Sequence, residues 1–100
     1  LVAHRNLRGI YGGNDEIALG ASQAVAQAGR AGQVVVTGLN GIPPAIAAVR
    51  RGDLGMTVEL NPARWGVLGL DTMAAYLRGE RGAAQVNVEH LLVDRANVPP

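Results

Sequence analysis

The chain has 100 residues, nine Arg and Lys against eight Asp and Glu, a net charge of +1 and a hydrophobic share of 48%. This length suits one small domain, and the hydrophobic share excludes wholesale disorder. The lack of cysteine excludes disulfides and thiol nucleophiles, and the balanced charge gives no electrostatic reason to expect a nucleic-acid partner.

The beginning of the chain predicts a strand followed by a helix. Residues 7–12 have the composition of a short strand and lead into a Gly-Gly-Asn-Asp turn. Strong helix formers occupy residues 16–28, with apolar side chains at spacings of three and four. Asp15 is the predicted N-cap of this helix, and Gly29 stands where the helix is expected to end.

The middle of the chain predicts a second strand, a short helix and a third strand. Residues 33–37 include consecutive valines, a pattern typical of a strand covered on both faces. Pro43 and Pro44 favour the start of a helix that continues over 45–51 and ends at Gly52. The third strand is predicted over residues 54–60.

The last part predicts the longest helix and a final strand. Asn61 and Pro62 are an N-cap and an initiating proline for a helix over 63–78, which Gly79 ends. A strand is predicted over 86–93, and the end at Pro100 is expected to be loose. The order β-α-β-α-β-α-β predicts an α/β fold, with a mainly parallel sheet and helices on its faces.

Short polar side chains follow three of the predicted strands, where ligands bind in such sheets. The segments are Gly13-Asn14-Asp15, Gly38-Leu39-Asn40 and Glu59-Leu60-Asn61. An asparagine side chain both donates and accepts hydrogen bonds, which suits a polyhydroxyl ligand. The same residue types also cap helices and form turns, and on the residues alone local capping is the commoner role.

Patterns of known enzymes and metal sites are missing from the sequence. It has no G-x-S-x-G elbow, no Walker motif and no G-x-G-x-x-G spacing. His4 and His90 are far apart and are expected at the surface, so neither a metal nor a cofactor is predicted. Trp65 has helical spacing, which favours packing over stacking on a sugar. The interpretation from the residues is a protein that is not an enzyme.

Three segments carry a family resemblance. They are residues 11–21 (Tyr-Gly-Gly-Asn-Asp-Glu-Ile-Ala-Leu-Gly-Ala), 34–41 (Val-Val-Val-Thr-Gly-Leu-Asn-Gly) and 49–62, which end in Glu-Leu-Asn-Pro. Together they resemble the C-terminal part of the type I periplasmic binding proteins. The most similar group is the ribose- and galactose-type sugar-binding proteins of ABC importers, and the resemblance runs through nearly the whole chain.

The resemblance implies a substrate-binding component of an ABC importer, which holds a sugar or similar polyhydroxyl ligand between two lobes without catalysis. Its partners would be the membrane permease subunits and the missing N-terminal lobe of the same protein. Its location would be periplasmic or extracellular, with a signal peptide or lipid anchor upstream. Residues 1–60 would form part of the second lobe, and residues 61–100 would return as the final helix and strand toward the first lobe.

The resemblance also assigns roles to individual residues. Asn14 falls on a family Asn that would bond sugar hydroxyls, while Asp15 mainly caps the helix. Asn40 falls on a family Asp, so its hydrogen bonds would be neutral and weaker. Leu60 departs from the usual Gln or Asn and removes one polar contact. Glu59 or Asn61 would compensate only in a different local register.

Two alternatives stay open at this point. One is the effector-binding domain of a LacI-type transcriptional regulator, which shares the superfamily. Residues 51–58, Arg-Gly-Asp-Leu-Gly-Met-Thr-Val, resemble the transporter branch more than the repressor branch. The other alternative is a small α/β module that stands alone and has no binding activity.

Overall fold

The computed structural model describes residues 1–82 and 84–100. Strands and helices alternate as predicted, although each strand is shorter than expected. The elements are β1 (Gly9–Tyr11), α1 (Asp15–Gln27), β2 (Val35–Thr37), α2 (Pro43–Arg51), β3 (Met56–Glu59), α3 (Pro62–Leu77) and β4 (Leu91–Asp94). The predicted α/β fold is confirmed.

The four strands form one sheet in the order β1-β2-β3-β4. The first three are parallel, with Val36 opposite Ile10 in β2 and β1. The last strand runs antiparallel to β3, with Val93 opposite Thr57. The sheet is therefore mainly parallel, and its one antiparallel strand lies at the edge next to β3.

The chain divides into two compact units. Unit 1 comprises residues 1–60 and 91–100, and unit 2 comprises residues 61–90. The sequence predicted a final strand over 86–93, grouped with the preceding helix. The predicted bounds of the strand are wrong, because the segment that pairs residue by residue with Met56–Glu59 is Leu91–Asp94.

The core of unit 1 consists of small and branched side chains from α1, α2, β2 and the adjoining loops. Its buried members are Ala18, Val25, Val34, Val36, Ala45, Ala48, Val49 and Leu54. Between two of them, Val35 is 57% exposed. Because successive strand residues point to opposite faces, the predicted coverage of both faces of β2 is not seen at Val35.

The helix ends largely follow the predicted signals. Gly29 and Gly52 have φ values of 68° and 88°, in the left-handed region that favours glycine at a helix C-terminus. The side chain of Asn61 caps α3 by accepting from the Arg64 amide at 3.3 Å. The C-terminal end is not loose, because the Arg50 guanidinium donates twice to the Pro99 carbonyl, at 2.9 and 2.7 Å.

Unit 2 contains α3 and the segment that follows it. None of the residues of α3 is buried. The rings of Trp65 and His90 lie 5.7 Å apart, and both residues are exposed. The exposure of His90 agrees with the sequence, whereas the packing role of Trp65, which is 40% exposed, stays a prediction. No helix in the described part of the chain is long and apolar enough to cross a membrane.

Candidate ligand-binding site

The carboxyl ends of β1, β2 and β3 lie at the same edge of the sheet because these strands are parallel. The ladder between β2 and β3 resumes at Asn40, whose amide donates to the Val58 carbonyl at 2.9 Å. The Leu60 amide in turn approaches the Asn40 carbonyl at 3.4 Å, and Asn40 bridges Glu59. The structure therefore brings three predicted site residues, Asn40, Glu59 and Leu60, next to one another.

Asn14 is the N-cap of α1, and the assignment of the cap to Asp15 is wrong. Asn14 has extended backbone, with φ −150°, and its Oδ1 accepts from the Ile17 amide at 2.8 Å. An N-cap residue lies just before the helix, so that its side chain can accept from the third helical amide. Asp15 is already the first helical residue. The capping hydrogen bond uses the side-chain oxygen of Asn14. The half-buried side chain still carries an NH2 group with two donors.

Asp15 instead forms the centre of a buried hydrogen-bond network. Its side chain is fully buried, Oδ1 accepts from the Thr57 hydroxyl at 2.6 Å, and Oδ2 accepts from the Ile42 amide at 2.9 Å. A buried carboxylate is costly unless its oxygens are paired in this way. The carboxylate of Asp15 thus ties the start of α1 to the loop after β2 and to β3.

Sequence reasoning missed Thr57. It is fully buried in the middle of β3, and its hydroxyl also accepts from the Gly41 amide at 3.3 Å. A threonine in a strand is an ordinary β-branched residue, so its position carries no signal that distinguishes this role. Only the tertiary structure shows the role of the Thr57 hydroxyl, because it places Thr57 within hydrogen-bond distance of Asp15.

The loop that carries Asn40 has an unusual backbone. Asn40 has φ 125° and the following Gly41 has φ 73°. Asparagine is enriched among the few non-glycine residues with positive φ, and such conformations cluster at ligand-binding segments. The side chain of Asn40 is half-buried. Hydrogen bonds from the surrounding residues are therefore needed to hold the Asn40 backbone in this conformation.

The end of β3 offers Glu59 and Leu60, both half-buried. Gly41 packs closely on this strand, since a Cβ built at Gly41 would lie 2.7 Å from the Cα of Glu59. The side-chain oxygen of Asn61 caps α3, so that oxygen does not replace the acceptor that Leu60 lacks. Within residues 1–82 and 84–100 no group of His, Cys, Asp or Glu has the arrangement of a metal site.

A family model described as a periplasmic binding protein domain matches residues 1–81. The chain belongs to the periplasmic binding protein domain family. Among curated relatives, the D-allose-binding periplasmic protein of Escherichia coli is 47% identical over 68 residues, which are 68% of this chain and 22% of that protein. The ribose import binding protein of Escherichia coli is 37% identical over 93 residues, 93% of this chain and 31% of that protein.

Solved structures of periplasmic binding proteins show the same likeness. A solute-binding protein from Actinobacillus succinogenes with bound D-allose has a TM-score of 0.87 at 32% identity, over 96% of this chain and 34% of that one. The periplasmic ribose ABC transporter protein from Conexibacter woesei has a TM-score of 0.90 at 30% identity, over 98% of this chain and 34% of that one. This chain thus spans about a third or less of its relatives.

These relatives confirm the resemblance to type I periplasmic binding proteins that the strand-end segments indicated. The two curated relatives are named as a D-allose-binding periplasmic protein and as a ribose import binding protein, which are names of binding proteins and not of enzymes. The comparisons support the transporter branch of the superfamily and give no support to the LacI-type regulator.

Proposed function

We propose that this chain is the C-terminal third of a protein that binds a sugar or similar polyhydroxyl ligand for an ABC importer, without catalysis. The observation that carries the proposal is the placement of Asn14 and Asn40. They follow two adjacent parallel strands at the edge where such sheets bind ligands. The names of the allose- and ribose-binding relatives support the class of ligand.

The groups at the strand ends define what the ligand must offer. The amide NH2 of Asn14 donates to ligand oxygens, and the side chain of Asn40 both donates and accepts. Glu59, the weakest of the candidates, would accept from a hydroxyl. Leu60 presents an apolar side chain, which suits a C–H face of the ligand better than a hydroxyl. The proposed ligand is therefore a neutral sugar or polyol with one hydroxyl fewer on this side.

Binding without reaction is consistent with the side chains assigned to the site. Carboxamides such as those of Asn14 and Asn40 hold a ligand by hydrogen bonds and do not ionise at neutral pH. General acid–base catalysis needs a group that does. The proposal accordingly gives neither asparagine a catalytic role, and it assigns Glu59 only the acceptance of a hydrogen bond from a hydroxyl.

The exposed face of α3 supports a second part of the proposal, on lobes. Val67, Leu70, Met73 and Leu77 are 56%, 74%, 57% and 76% exposed. A helix with this many exposed apolar residues marks a surface that another part of a protein covers. We assign residues 61–90 to contacts with the first lobe, and residues 1–60 and 91–100 to the second lobe.

Partner and location follow from the same relatives. The proposed partners are the membrane permease subunits of an importer, which receive the ligand from the closed form of the two lobes. The proposed location is periplasmic or extracellular, because the matched relatives are named as periplasmic. A signal peptide or lipid anchor would then lie upstream in the complete polypeptide.

Calorimetric titration of the complete polypeptide with D-ribose and D-allose tests the site. Asn14→Ser keeps an N-cap oxygen but shortens the side chain and removes the NH2 group. We expect Asn14→Ser to weaken binding about tenfold or more. The free energy of unfolding should change by only a few tenths of a kcal/mol, or about 0.5 kcal/mol at most. Asn14→Ala should lose both affinity and stability.

The matched control is Asn61→Ser, which makes the same change at the N-cap of α3. Its affinity should stay within about twofold of the unmodified protein. Unchanged affinity in Asn14→Ser would remove Asn14 from the site. A loss of affinity in Asn61→Ser would move the site toward the end of β3.

A further inference from the structure

Asp15 and Thr57 lie beneath the proposed binding site and are both fully buried. Neither side chain can therefore touch a ligand. Their hydrogen bond, at 2.6 Å, joins the first turn of α1 to the middle of β3 across 42 residues of sequence. A buried and charge-assisted bond of this kind is strong and geometrically demanding.

The same pair holds the loop that carries Asn40. The Gly41 amide donates to the Thr57 hydroxyl at 3.3 Å, and the Ile42 amide donates to the Asp15 carboxylate at 2.9 Å. These are the two amides directly after Asn40. The φ of 125° at Asn40 lies in a region that costs about 1–3 kcal/mol, so the loop keeps this shape only while its surroundings hold it.

Two glycines show that the network has little free space around it. A Cβ at Gly38 would collide with the Asp15 carboxylate, and a Cβ at Gly41 would lie 2.7 Å from the Cα of Glu59. The loop after β2 therefore fits against Asp15 on one side and against β3 on the other. A shift of the carboxylate would be passed to Asn40 rather than absorbed.

Asp15 also directly follows Asn14 in the chain. The carboxylate that fixes the loop after β2 is thus attached to the backbone that carries the other proposed ligand-binding asparagine. We propose that Asp15 and Thr57 are positioning residues that hold Asn14 and Asn40 in one fixed relation. This inference rests on the proposed function and deepens it, because it explains how two neutral side chains on separate loops act as one site.

Substitutions at Thr57 in the complete polypeptide test the inference. Thr57→Val keeps the shape but removes the hydroxyl, whereas Thr57→Ser keeps the hydroxyl and removes a methyl group. We expect Thr57→Val to weaken the binding of D-ribose or D-allose about tenfold or more. Thr57→Ser should restore affinity to within about threefold of the unmodified protein, although it also loses stability.

A control for stability alone is Val25→Ala, which removes buried volume at the far end of α1, where Val25 is 3% exposed. All variants are titrated at a temperature at which each is fully folded. Val25→Ala should leave affinity within about twofold. Equal losses of affinity in Thr57→Val, Thr57→Ser and Val25→Ala would overturn the positioning role, and so would an unchanged affinity in Thr57→Val.

Hydrogen exchange without any sugar separates the two proposals. In Thr57→Val the amides of Gly41 and Ile42 should lose about tenfold or more of their protection. The Val35 amide, which bonds the Arg8 carbonyl at 2.9 Å, should keep its protection. If neither sugar binds the unmodified protein, D-ribose and D-allose are excluded as its ligands, while this readout still decides the positioning role. Unchanged protection at Gly41 and Ile42 would overturn it.

Should Thr57→Val fail to fold, Asp15→Asn provides the same readouts. Its amide keeps one acceptor oxygen and replaces the other with an NH2 donor, so Thr57 and Ile42 can no longer each donate to a separate side-chain oxygen. Loss of protection at Ile42 with weaker sugar binding supports the inference. Full protection and unchanged affinity in Asp15→Asn contradict it.

Discussion

Unit 1 completely buries Leu54 and Val49, whereas α3, the helix of unit 2, has no buried residue. The difference does not come from a lack of apolar residues, because α3 carries more large apolar side chains than α1 does. It comes from what faces them. In unit 1 two helices pack on a sheet, and each layer covers the other.

Small residues make the close packing of unit 1 possible. Ala18, Ala45 and Ala48 are fully buried, and Gly12 approaches α1 so closely that a Cβ would lie 2.7 Å from the Ala18 amide nitrogen. In α3 nothing lies within 4 Å of a Cβ built at Gly66 or Gly69. A buried surface therefore needs a fitted partner layer, and a hydrophobic sequence alone does not provide one.

The largest expected effect contrasts leucines of the two units in the 100-residue chain. Leu54→Ala leaves a cavity in the core and should lower the free energy of unfolding by about 2–5 kcal/mol. Leu70 is 74% exposed, so Leu70→Ala should change the free energy of unfolding by less than about 0.5 kcal/mol. Urea denaturation measures both. Equal losses in the two variants would show that unit 2 has a core of its own.

Two glycines, one in each unit, should give smaller changes in stability of opposite sign when each is replaced by alanine. Gly12→Ala places a methyl group against the backbone of α1 and should destabilise the chain by about 1–3 kcal/mol. Gly69→Ala adds a methyl group in open space within a helix and should stabilise α3 by about 0.5–1 kcal/mol. Circular dichroism during urea denaturation follows both changes. A destabilising Gly69→Ala in this chain would contradict the open surface of α3.

The smallest expected effect concerns one ion pair from each unit. Arg51 and Asp53 are 2.8 Å apart with side chains 60% and 50% exposed, and Arg78 and Glu80 are 3.3 Å apart with side chains 62% and 60% exposed. Such pairs are screened by water and salt, so Arg51→Ala and Arg78→Ala should each cost less than about 0.5 kcal/mol. Denaturation at low and high salt tests this. A cost above about 1 kcal/mol for either would mean that surface charge contributes to the difference between the units.

Much of the fold was predictable because its signals are local. Pro43, Pro62, Gly29 and Gly52 mark helix ends by their own backbone preferences, and the structure places helix ends at each of them. The bounds of the final strand were not predictable, because a strand is defined by the strand with which it pairs. Residues 86–93 are rich in β-branched residues, but the strand comprises Leu91–Asp94, the residues that pair with β3.

The candidate site was predictable only in part. Asn14 and Asn40 stand out because a polar residue after an apolar strand is a local pattern. The sequence did not predict that Asn14 caps the helix in place of Asp15, since either residue type caps a helix equally well. Which of them caps depends on where the helix begins, and in the structure it begins at Asp15, whose carboxylate accepts from Thr57 and Ile42.

The alternation of strands and helices, most helix ends, the family and the residues that follow each strand could be predicted from the sequence, because these depend on neighbours along the chain. The tertiary structure alone decided that residues 91–100 join unit 1 and that Asp15 and Thr57 meet in its interior. It also decided that Asn40 takes a positive φ. Pairing, burial and backbone strain each depend on residues that are distant in sequence, so no local pattern specifies them.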